Sequence, residues 1–181
     1  MTPAGYIARK IHTDTQWLDN PVVEDILSVS GCISEVFCDY IPYWKHNGYW
    51  LFDSPDVIRA LAVEEGIDLS ERRVFYYEVH EQQYDDEAGC WQDFGPESKL
   101  KTAVRVPREK QLEGFDVVSF STQSAPECSP LSCNNLATTL PVNKHCLLNT
   151  FEEARQLVES NALANAEPGP YRIFAVYTCT E

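Results

Sequence analysis

Residues 73–94 read RVFYYEVHEQQYDDEAGCWQDF. From Arg73 to Gln83 polar and apolar residues alternate as in a half-buried strand. The acidic run Asp85-Asp86-Glu87-Ala88-Gly89 then supplies a polar turn, and Cys90-Trp91-Gln92-Asp93-Phe94 brings the chain back. Two strands joined this closely must be antiparallel, because a parallel pair needs a crossover of about a dozen residues or more.

The flanking sequence extends the pattern. Val36 to Phe52 is rich in strand formers around Asn47-Gly48, a pair suited to a type I′ hairpin turn, with Pro42 marking an edge or a bulge. Gly5 to His12, Leu100 to Val106, Phe115 to Ser121 and Tyr171 to Thr178 read as further strands, the last entered through Pro168-Gly169-Pro170. Helix starts are marked at Asn20-Pro21, Ser54-Pro55, Ser129-Pro130 and Thr150, where Glu153 completes a reciprocal cap. Their apolar faces are Val22, Val23, Ile26 and Leu27; Val57, Ile58, Leu61 and Ala62; Cys133, Leu136, Ala137 and Leu140; and Phe151, Ala154, Leu157 and Val158. Hairpins outnumber β-helix-β crossovers. The expected fold is therefore α+β: a single globular domain over 1–181, with a mostly antiparallel or mixed sheet of about six to eight strands and three or four helices. No internal repeat is evident along the residues.

Charge narrows the function classes. The chain carries 28 acidic and 14 basic side chains, a net −14, and residues 1–98 alone hold 19 acidic against 6 basic. Nucleic-acid binding is disfavoured, since its affinity comes from cationic side chains on phosphates, and an anionic membrane surface is disfavoured for the same reason. A basic protein partner or a metal ion is the favoured ligand of such a field. The basic run Lys99, Lys101, Arg105, Arg108 and Lys110 reads as a solvated face. No segment has the pattern of a secretory leader, and no apolar run is long enough to span a bilayer. Seven cysteines, an odd number without the spacing of a stapled scaffold, fit reduced thiols in the cytoplasm.

Two stretches could carry function. In the first, Cys128 and Cys133 are followed by His145 and Cys146. Thiolate and imidazole are preferred Zn²⁺ ligands, so Cys128, Cys133 and either His145 or Cys146 form a candidate zinc site. Alternatively, Cys133 in a first helical turn is a candidate nucleophile with His145 as its base. The plain alternative is that these thiols are small core residues. In the second stretch, Tyr43, Trp44, Tyr49 and Trp50 beside Asp53 cannot all face one core, which makes this aromatic segment a candidate partner-binding surface. Walker, dinucleotide-binding and His-Glu-x-x-His patterns are lacking. The leading expectation is a small acidic binding or regulatory protein, such as an inhibitor of a basic partner. The alternative is a small enzyme using the Cys/His stretch at 128–146.

Overall fold

Among the described residues six strands form one antiparallel sheet: β1 (Thr2–Arg9), β2 (Arg73–Val79), β3 (Gln82–Asp85), β4 (Cys90–Asp93), β5 (Lys110–Ser119) and β6 (Tyr171–Cys179). The computed structural model describes residues 1–33, 36–37, 41–42, 45–94, 102–120 and 126–179. β6 is the central strand, with β5 along one edge and β2 then β3 along the other. β1 pairs with β2, and β4 with β3.

Stretch 73–94 forms its hairpin with one change from the reading: the strand divides at His80-Glu81. The His80 N–H still bonds the Ile173 carbonyl at 2.9 Å, so both pieces stay on β6. The turn closes as the Gly89 N–H meets the Asp85 carbonyl at 2.8 Å, with Gly89 at φ 65°, where lacking a Cβ removes the strain.

Two α-helices are present among the described residues, not three or four. In α1 (Pro55–Glu65) the Ser54 hydroxyl accepts from the Val57 N–H, and Gly66 ends the helix in the left-handed region. α2 (Phe151–Glu159) opens with the reciprocal Thr150–Glu153 cap and buries Ala154, Leu157 and Val158. The other two starts stop after a turn, for identifiable reasons. At Asn20-Pro21 the chain closes one turn and then runs extended, Glu24 and Asp25 donating to the Lys144 carbonyl and Leu27 to that of His145. At Ser129-Pro130 the Cys133 N–H reaches the Ser129 carbonyl at 2.8 Å, but Asn135 at φ 58° ends the turn, leaving only a short 3₁₀ segment, Leu136–Thr138. The expected strand at 100–106 is not formed over 102–106.

The Asn47-Gly48 hairpin is also corrected. A type I′ turn needs positive φ at both central residues, yet here the positive φ belongs to Trp50. Asn47 instead organises a buried loop: its Oδ1 accepts from the Tyr49 and Leu51 N–H groups, and its Nδ2 donates to the Ala4 carbonyl and to Asp53. Phe52 then pairs with Tyr6. Gly5 permits the approach, since a Cβ there would lie 2.8 Å from both the Leu51 Cβ and the Phe52 carbonyl oxygen. A second loop of the same construction precedes α2. The Asn143 Oδ1 accepts from the His145 and Leu147 N–H groups, its Nδ2 donates to the Glu113 carbonyl, Cys146 takes the positive φ, and Leu148 pairs with Phe115 beside Gly114.

Successive β5 residues show why the apolar run there is continuous. Val117 packs in the cluster containing Leu157 and Val158 of α2, whereas Val118 belongs to the cluster of Phe75, Phe174 and Val176. Both faces of the strand are covered, as expected for a central run of this kind. Asp116, out of phase with Val117, points away from α2. That direction positions the site described next.

Candidate metal centre

The site starts from one buried carboxylate. Asp116 is 0% exposed and accepts three hydrogen bonds: from the Ser28 hydroxyl at 2.7 Å, the Val29 N–H at 2.8 Å and the Ser129 hydroxyl at 2.6 Å. A buried carboxylate is tolerated only when its lone pairs are used in this way. Burial pushes the Asp116 carboxyl up from its ordinary range, against the pull of Ser129, Ser28, Val29 and Arg9. Arg9, equally buried, donates to the carbonyls of Val29 and Ser30. Segment 28–30 and the turn at 129 are thus fastened to one β5 side chain from two distant parts of the chain.

Each fastened segment carries cysteine. The Sγ atoms of Cys32, Cys128 and Cys133 lie within 4.8 Å of one another. Cys128 is held by its backbone pairing with Ser119, and Cys133 by its turn bond to Ser129. Cys128 is buried, Cys133 half-buried and Cys32 exposed, so the cluster opens to solvent on one side. A tetrahedral ion with M–S bonds of about 2.3 Å needs sulfurs about 3.8 Å apart, a small contraction of this triangle.

The three thiols differ in acidity. Cys133 is lowered to about 6, first by the thiol hydrogen bond from Cys128 and then, against the opposing effect of burial, by that from Cys32. Cys128 is raised, mainly by that same bond to Cys133 and then by burial, and Cys32 is pushed up to about 11, mainly by burial.

The remaining residues singled out in the sequence are not members of this thiol cluster. The His145 Nδ1 lies 2.6 Å from Asp25 Oδ1 and its Nε2 lies 3.3 Å from Glu113 Oε2, so each ring nitrogen faces a carboxylate. Cys146 packs in the α2 cluster, where burial pushes its thiol up to about 12. Tyr49 is half-buried with its ring 6.1 Å from Phe94, and Trp50 is half-buried against His46 at 4.9 Å. The Asp53 carboxylate is used internally, accepting from Asn47 and from the Ala103 N–H. Tyr43 and Trp44 lie outside the described residues.

Cys32 is the member that sequence reasoning did not single out. Its distance along the chain from Cys128 hides it; the signal available was the short Cys32/Cys38 spacing, which resembles that of Cys128/Cys133. No described helix is long and apolar enough to cross a membrane. No protein-family model, curated protein or solved structure matches the chain.

Proposed function

We propose that this chain is a small acidic binding protein that holds a soft d¹⁰ metal ion, Zn²⁺ or Cu⁺, through Cys32, Cys128 and Cys133. The observation that carries the reading is the mutual approach of three sulfurs on two segments tied to one buried carboxylate. Thiolates select such ions over Mg²⁺ or Ca²⁺, which take oxygen ligands. The net charge of −14 raises the local concentration of any cation near the molecule. The expected role of the ion is to join the two segments, so that binding energy becomes folding energy.

The test is metal analysis of the purified full chain together with Co²⁺ titration. One equivalent of metal and a thiolate-to-cobalt charge-transfer band are expected, and Cys133→Ser should weaken binding by more than about 100-fold, since losing even an outer partner of a metal ligand costs about 10–100-fold. A chain that purifies metal-free and gives no such band with cobalt would refute the reading.

A second reading is supported by the charge itself: recognition of a basic protein partner, with a regulatory or inhibitory effect on it. It is compatible with the first, because a metal-joined surface can also be a binding surface.

A further inference from the structure

The two asparagine-centred loops match beyond their hydrogen bonds. Asn47, Leu51, Ser54, Arg59 and Leu61 stand in the same spacing as Asn143, Leu147, Thr150, Arg155 and Leu157, with the serine and the threonine each capping the following helix. The strands match as well. The β1–β2 ladder has a bulge between Pro3 and Gly5, and the β5–β6 ladder has one between Leu112 and Gly114. Gly5 and Gly114 both take positive φ, 137° and 150°, and a Cβ at either would collide with the leucine and the asparagine of its own loop. Their strand partners, Tyr77 and Val176, pair with each other at the antiparallel β2–β6 junction. An antiparallel pair carries a local two-fold relation, so that pairing relates the two units to each other.

We infer that the chain is two copies of one strand-loop-helix-strand unit, residues 5–79 and 114–178, and that the thiol centre forms between them, the first copy giving Cys32 and the second Cys128 and Cys133. The sharing of the metal rests on the reading proposed above; the duplication does not. Cys32 and Cys128 each stand fifteen residues ahead of the asparagine of their copy, so the cluster joins equivalent positions. In sequence, Cys38 stands nine residues ahead of Asn47 and Cys133 ten ahead of Asn143; Cys38 lies outside the described residues. The segments bearing Cys32 and Cys128 come together over the sheet face that Asp116 points to, with the Asp116 carboxylate as their common anchor. A site built this way needs both copies. An ion in it orders two loops that share no backbone pairing among the described residues.

The test uses the full chain with Co²⁺ and Zn²⁺ as probes. Cys32→Ser should weaken metal binding as much as Cys128→Ser does, to within about threefold, and zinc should slow amide hydrogen exchange in 27–33 and 128–134 together. Because Cys32 is exposed, its substitution leaves the core intact, and circular dichroism checks the fold of the buried Cys128 variant. Wild-type binding with an unimpaired Cys32→Ser variant, or protection confined to 128–134, would place the site within the second copy and overturn the sharing, leaving of the metal reading only an ion held by Cys128 and Cys133 without Cys32. Failure of the wild-type chain to bind either ion would sink the metal reading and the sharing together. The duplication has its own test. Asn47→Ala and Asn143→Ala each remove two loop bonds and one bond to a strand carbonyl, Asn47 also losing its bond to Asp53, and both should lower Tm, whereas tolerance of one with unfolding by the other would overturn the equivalence.

Discussion

Two side chains give the clearest pH signatures. His46 is 2% exposed, packs against the rings of Trp50 and Phe52, and has no hydrogen-bond partner for either ring nitrogen among the described residues. Burial lowers it to about 4. The unfolded chain therefore binds a proton between about pH 6.5 and 4 that the folded chain refuses, so stability falls as pH drops through that window and levels off below it. The loss is at most about 3 kcal/mol. Denaturant unfolding of the wild type and of His46→Phe from pH 7 to 4 checks this; equal slopes in the two proteins would contradict it. Cys133 gives the opposite kind of signature. In metal-free protein its alkylation should reach half its limiting rate near pH 6, while Cys32, held up near 11, stays slow at neutral pH. Mass-spectrometric mapping of a brief iodoacetamide pulse separates the two, and faster labelling of Cys32 at pH 7 would reverse the assignment.

Among the elements, helices read correctly where local chemistry was sufficient. Ser54-Pro55 with Gly66, and Thr150 with Glu153, supply caps at both ends or a reciprocal cap at one, and both helices formed. Ser129-Pro130 has an equal start signal but meets a left-handed Asn135, and its backbone is used in the turn that presents Cys133. Asn47-Gly48 misled for a related reason. A hairpin turn would spend the asparagine on its own backbone, whereas here the amide bonds four groups across the loop and into β1. The glycines carry the strictest demand. Gly114→Ala combines φ 150° with a Cβ 2.7 Å from the Leu148 carbonyl oxygen, and Gly5→Ala meets the same obstacle against Phe52. Each should destabilise by about 2–4 kcal/mol, the range for strained backbone plus overpacking. Chemical denaturation gives the value; a loss below about 0.5 kcal/mol in either variant would show that the loop yields.

For the whole molecule the charge sets the expectation. If a basic partner exists, its association rate should fall steeply as ionic strength rises from about 0.01 to 0.15 M, over which the Debye length shrinks from about 30 to 8 Å. Stopped-flow association measures it, and a rate insensitive to salt would exclude electrostatic steering. Metal binding belongs to this scale too. The proposed ion would join segments far apart in sequence, so its removal by a chelator should lower Tm for the whole chain in one transition.

Periodicity and local chemistry determined the antiparallel hairpin at 73–94, the β5 and β6 strands and both capped helices, because each depends on residues a few positions apart. Cys128 with Cys133 was legible on the same basis. Three things were decided only in the tertiary structure: the recruitment of Cys32, the pairing of His145 with Asp25 and Glu113, and the likeness of the two halves. Each joins groups from distant parts of the chain, and for the cysteines a buried polar network ties the segments that bear them. Asp116 has no neighbour in sequence that explains its burial; its partners are Ser28, Val29 and Ser129, and only the folded sheet sets them around one carboxylate.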